Sequence, residues 1–253
     1  MMRRMVWMLG LATLAAACHH GPRPQTVPRP ELQLDQAMAQ IRRGDYRRAL
    51  LTLQRLTFEF GPGQPEAVAA RYYMAECYFQ TGDRVQAAHE FRKVADEFPT
   101  SEYAPLALLR AGDANLRLWR RAELDPTYGE TALSIYQELA ARYPDSDAAA
   151  RARPHVRRLQ NQFAEKTYKN GMFYLRRKAY DSAIIYFKDV IANYPEAKLA
   201  PDALLRLVDS YRAIGYTDEL KETCDHLRRF YPQATGLGKS CPADSTGAPG
   251  TPS

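Results

Sequence analysis

The sequence predicts an all-α protein: five helix pairs stacked side by side into one elongated solenoid. Three observations predict it. An apolar face spaced i, i+4, i+7 and i+11 is written five times along the chain. Four of the five faces end in an aromatic-proline pair: Phe98-Pro99, Tyr143-Pro144, Tyr194-Pro195 and Tyr231-Pro232. And FPTSEYAPLALLRAG, from Phe98, returns 96 residues later as YPEAKLAPDALLRLV, from Tyr194.

The elements follow in order. The five faces start at Ala49, Ala87, Ala132, Ala183 and Leu220 and continue through Leu53, Phe91, Tyr136, Phe187 and Cys224. They pass Leu56, Val94, Leu139, Val190 and Leu227 and close on Phe60, Phe98, Tyr143, Tyr194 and Tyr231. The closing aromatics are 38, 45, 51 and 37 residues apart. A further helix precedes each face. Small residues inside it, such as Ala37, Ala75 and Gly171, let the neighbouring helix approach. Gly44, Gly82 and Gly215 supply the tight turn between the two helices. The closing proline stops the second helix.

A helix pair with a period near 34 to 40 residues is the tetratricopeptide (TPR) pattern. One such unit cannot bury its apolar face alone, so neighbours stack and share a core. The repeats are read at about 31–62, 63–100, 101–145, 146–196 and 197–233. The repeated sentence is a joint between them: Pro105 and Pro201 fall in the first turn of a helix, where a missing N–H is harmless. Block three carries about eight extra residues around RAELDPTYGE, read as a loop at Asp125-Pro126 and Gly129. Block four opens on a long helix from about Asp147 to Arg177, kinked or restarted at Pro154. After Gln233 the pattern stops, and 234–253 reads as a flexible polar tail.

The N-terminus is read as a targeting device. MMRR is a positive start, MVWMLGLATL is an apolar run too short to span a bilayer, and Ala-Ala-Ala-Cys follows. Residues 1–17 are expected to be a signal peptide, removed at Cys18, which is expected to carry lipid. The match to a lipobox is imperfect, because Leu14 lies one position further from Cys18 than usual; the bland alternative is a secreted chain with a free N-terminal cysteine. The stretch 18–30 holds four prolines in HHGPRPQTVPRP and reads as an extended tether, at about 3.1 Å per residue and roughly 35–40 Å of reach. Without Arg3 and Arg4 the chain has 33 basic against 29 acidic residues, too small a surplus for a nucleic-acid binder.

No catalytic constellation is present. The chain has no G-x-G-x-x-G, G-x-S-x-G, H-E-x-x-H or phosphate loop, its histidines are scattered, and it has no C-x-x-C. The expectation is a non-enzyme with no cofactor and no metal site. The first helices of TPR pairs line a concave face. On it, Tyr72, Glu76 and Phe79 in block two and Leu34, Met38 and Ile41 in block one are candidates for a groove that takes an extended peptide. The alternative for the block-one residues is that they complete the core at an open end. Cys224 lies on the packing face of the last repeat and Cys241 on the tail. A disulfide there would close a loop and cap the stack; a buried Cys224 with a free tail thiol is the other possibility. Cys77 is expected to be a buried thiol.

The order of lipobox, proline tether, five blocks ending in aromatic-proline and short tail resembles the BamD family, the lipoproteins of the outer-membrane β-barrel assembly machinery. The stretch from Lys169 to Glu219 resembles it most, through Gly171, Tyr174, Leu175, Tyr180, Ala183, Phe187, Tyr194 and Pro195, with Phe173 standing for a first tyrosine. The resemblance spans roughly Pro30 to Pro232. It implies a lipid-anchored scaffold on the periplasmic side of the outer membrane. The implied partners are the periplasmic domains of a BamA-like barrel protein, companion Bam lipoproteins and C-terminal segments of unfolded barrel proteins. The TPR protein of the Tol-Pal envelope system has similar repeats, but that family begins with a coiled coil, and no heptads separate Cys18 from the first repeat here.

Overall fold

The computed structural model describes residues 29–61, 64–119 and 125–242. The expected signal peptide, Cys18 and tether lie outside the described residues. Ten helices form five pairs: α1 (Pro30–Arg42) with α2 (Tyr46–Glu59), α3 (Pro65–Thr81) with α4 (Arg84–Glu97), α5 (Tyr103–Leu118) with α6 (Thr127–Arg142), α7 (Asp147–Arg176) with α8 (Tyr180–Asn193), and α9 (Ala200–Ile214) with α10 (Thr217–Phe230). A short helix, α11 (Leu237–Ser240), follows.

Local chemistry sets these boundaries. Pro30, Pro65 and Pro201 stand in the first turn of α1, α3 and α9. Ser146 caps α7 by accepting from the Ala149 N–H, and Asp83 caps α4 by accepting from Gln86. Gly82 and Gly215 end α3 and α9 in the left-handed region, at φ 93° and 79°. The corner between α7 and α8 has no glycine; Lys178 takes it at φ 60°.

Residues Ala49, Leu53 and Leu56, Ala87, Phe91 and Val94, Ala132, Tyr136 and Leu139, and Ala183, Phe187 and Val190 are all fully buried. After each of Phe98, Tyr143, Tyr194 and Tyr231 the chain makes the same turn. The aromatic's carbonyl accepts from the N–H three residues on, at 3.0, 3.1, 3.0 and 2.9 Å. The joint is bolted across repeats. The Tyr143 hydroxyl donates to the Pro99 carbonyl at 2.7 Å, and the Tyr231 hydroxyl to that of Pro195 at 3.0 Å.

The backbones of α1, α3, α5, α7 and α9 touch in succession, while those of α2, α4, α6, α8 and α10 do not approach one another among the described residues. The first helices therefore form the inner, concave side. The core runs in three parts along this stack. Tyr78 packs on both the first and second, and Tyr194 on both the second and third. α7 spans the second seam: Leu159 and Phe163 belong to the middle cluster and Ala164 to the last.

Three expectations need correction. Of the two readings of Pro154, a kink or a restart, the restart is excluded, since α7 runs unbroken through it. The stretch RAELDPTYGE is not all loop, because α6 begins at Thr127. Gly129 is a helical glycine pressed against the Trp119 indole, where a Cβ would stand 2.7 Å from ring atoms. Residues 234–242 are not a loose tail. Leu237 and Ala234 pack on the last core cluster, Cys241 is buried, and α11 lies against α9 and α10.

Candidate functional site

Two of the three sequence-predicted residues of block two, Tyr72 and Glu76, line a concave cleft, and Phe79 packs against its Arg110. Tyr72, Tyr73 and Glu76 of α3, Tyr103, Leu106, Leu109 and Arg110 of α5 and Arg151 of α7 line the cleft, around a volume of about 350 Å³. On α3, Ala75 and Cys77 are fully buried, while Tyr72, Tyr73 and Glu76 are half-buried at the cleft.

One wall is aromatic. The Tyr72 ring lies 5.4 Å from Tyr73, 5.1 Å from Tyr103 and 5.5 Å from Phe91, between centroids. Burial, with Glu76 adding to it, pushes the Tyr72 phenol up to about 12. Burial, with Tyr73 beside it, does the same to Tyr103. Both stay neutral at physiological pH and act as hydrogen-bonding apolar surface.

The other wall is ionic. The Arg110 guanidinium grips Glu76 with two hydrogen bonds, Nε to Oε2 at 2.9 Å and Nη2 to Oε1 at 2.6 Å. It pairs with Asp113 at 3.2 Å, and the Phe79 ring lies 4.0 Å below it. The other oxygen of Asp113 accepts from the Tyr136 hydroxyl at 2.8 Å. Burial alone would lower the pKa of Arg110, but the bonds to Glu76 and then Asp113 hold it above its ordinary value. Burial first, then Asp113, drives the Tyr136 phenol far up.

Thus Tyr72, Glu76 and Phe79 come together, with Arg110 as the hub that sequence reasoning missed. The available signal was spacing: Glu76 and Arg110 stand 34 residues apart, one TPR period. Leu34 and Ile41 are half-buried against the N-terminal core cluster, and Met38 is half-buried beside them. At the far end Cys224 and Cys241 are joined as a disulfide, with Cα atoms 5.6 Å apart. Cys77 is a free, buried thiol that burial pushes up to about 12. The His155 ring stacks on Tyr136, with centroids 5.2 Å apart. Among the described residues no group of three or more His, Cys, Asp or Glu is placed to hold a metal ion, and no helix is long and apolar enough to cross a membrane.

A concave stack of helix pairs with an aromatic and ionic cleft on its inner side is a TPR-type solenoid. The YfiO family of outer-membrane lipoproteins matches residues 30–227, and the chain belongs to that family. Among curated relatives it is 31% identical over 103 residues to the outer membrane protein assembly factor BamD of Vibrio cholerae, covering 41% of this chain and 43% of that one. It is 34% identical over 97 residues to that of Caulobacter vibrioides, covering 38% and 32%. The matched stretch thus spans less than half the length of these two relatives. To the Haemophilus influenzae protein of the same name it is 21% identical over 226 residues, covering 85% and 86%. Among solved structures, a thermophilic TPR protein of Thermus thermophilus superposes at a TM-score of 0.39 with 20% identity, over 83% of this chain and 95% of that one. The TPR2AB domain of yeast Sti1 gives 0.43 with 12% identity, over 80% and 78%.

Proposed function

We propose that this chain is a non-catalytic, lipid-anchored scaffold of the machinery that assembles β-barrels in the outer membrane. The observation that carries the reading is the likeness, extending over most of both chains in Haemophilus influenzae, to proteins named outer membrane protein assembly factors. The concave cleft supports it from the physical side. Clustered, edge-on and tilted rings and a fixed guanidinium suit an extended, partly apolar peptide better than a small substrate.

In this reading Cys18 carries the lipid and holds the solenoid on the periplasmic side of the outer membrane. The N-terminal repeats, with Leu34, Met38, Ile41 and the Tyr72–Glu76–Phe79 cleft, receive C-terminal segments of unfolded barrel proteins. The C-terminal repeats meet the periplasmic domains of a BamA-like barrel protein, alongside companion Bam lipoproteins. Affinity purification from detergent-solubilised membranes tests this. Recovery of a large barrel protein with periplasmic domains is expected; recovery of Tol-Pal components in its place overturns the reading. For the anchor, Cys18→Ser is expected to move the protein from the membrane to the soluble fraction, and unchanged fractionation contradicts lipidation.

A further inference from the structure

The 96-residue echo in the sequence places one side-chain constellation twice along the stack, each copy reaching from a buried ring to the concave face, and the second copy is incomplete. Tyr72, Phe91, Arg110 and Asp113 recur as Tyr168, Phe187, Arg206 and Asp209. The geometry recurs as well. The Tyr72–Phe91 and Tyr168–Phe187 centroids are both 5.5 Å apart. Arg110 pairs with Asp113 at 3.2 Å, and Arg206 with Asp209 at 2.8 Å.

The copies differ at one side of the guanidinium. Arg110 is filled from within by the Glu76 carboxylate and covered by the Phe79 ring. The corresponding positions on α7 are Met172 and Leu175, which bring neither a carboxylate nor a ring. Among the described residues Arg206 has Asp209 and the Tyr168 hydroxyl as side-chain partners, and its Nε is buried without an acceptor. Its side chain is 40% exposed against 19% for Arg110. Asp209 is shared, since Arg212 also lies 3.6 Å from it, so one carboxylate faces two guanidinium groups.

We propose that Arg206 is a docking site for a carboxylate of a partner protein, which pairs with the exposed part of its guanidinium as Glu76 pairs with Arg110. The chemistry required is a carboxylate beside an apolar group. It fits the face left by Met172 and Leu175, and the local surplus of positive charge attracts it. An acidic side chain and a chain-terminal carboxylate both meet this description. The assignment stands on the internal duplication and is independent of the assembly role proposed above.

The test is a titration of the ¹⁵N-labelled protein, read at the arginine Nε–Hε resonances. Three hexapeptide probes are used: one with an internal glutamate and an amidated end, one with no acidic side chain and a free C-terminal carboxylate, and a neutral amidated control. A saturable shift of the Arg206 resonance with either acidic probe, with Arg110 unmoved and the control silent, is expected. Which acidic probe acts assigns the source of the carboxylate. Met172→Glu supplies an internal carboxylate at the matching position and is expected to remove the shift while leaving the melting temperature equal or higher. No shift at Arg206, an equal shift at Arg110, or an undiminished shift in a folded Met172→Glu variant overturns the proposal.

Discussion

The Phe187 ring closes directly on Gly171: a methyl group at residue 171 would stand 2.6 Å from Cε1 of that ring. Gly112 meets Tyr136 in the same way, at 2.5 Å. At both points an aromatic ring of a pair's second helix lies directly against the backbone of its first. Glycine to alanine inside a helix ordinarily gains about 0.5–1 kcal/mol. At Gly171 the sign reverses, because the ring is fully buried. Gly171→Ala is expected to cost roughly 1–3 kcal/mol through overpacking. A urea midpoint equal to or above that of the parent contradicts this packing.

Ala183 sits one turn before Phe187 on the same fully buried face, whereas Ala150 on α7 is exposed. Ala183→Leu is expected to cost roughly 1–3 kcal/mol, and Ala150→Leu much less. Equal shifts in the denaturation midpoint would refute the assigned repeat register.

Lys178 turns the corner between α7 and α8 at φ 60°, where Gly44, Gly82 and Gly215 serve the other described corners of this kind. A side chain in that conformation costs roughly 1–2 kcal/mol. Lys178→Gly is therefore expected to stabilise the protein, most plainly as a higher melting temperature. A lowered one would mean that the lysine holds the corner in some other way.

The Cys224–Cys241 bond ties α11 onto the last pair, 17 residues apart in sequence. Arg228 donates to the Cys241 and Pro242 carbonyls, and Arg212 to that of Ser240. Cys241→Ser is expected to cost roughly 3 kcal/mol on the chain-entropy account. Alkylation of the native, unreduced protein at pH 8 is expected to modify none of Cys77, Cys224 and Cys241, since burial keeps the Cys77 thiol protonated. Alkylation of both Cys224 and Cys241 would exclude the bond.

The parts of the fold legible in the sequence are those set by short-range periodicity. The buried face from Ala183 to Tyr194, the glycine corners at Gly82 and Gly215 and the aromatic-proline turns each depend on residues within one block. The rest depends on neighbours far along the chain. Gly129 looked like a loop residue because its reason, the Trp119 indole, lies across an insertion. The short α11 has too few residues for a helical period; it forms against a surface made by α9 and α10. Tyr72, Glu76 and Phe79 could be placed on one face, but their hub Arg110 becomes visible only when α5 lies beside α3.

The most direct test of the central claim, that the concave cleft takes up unfolded barrel segments, is in-cell photo-cross-linking. A photoreactive amino acid is placed at Leu106, which lines the cleft, and separately at Val85, which is 59% exposed on α4. Newly exported barrel precursors are expected to be trapped at position 106 and not at 85. Trapping at 85 alone, at both positions equally, or at neither would contradict the claim.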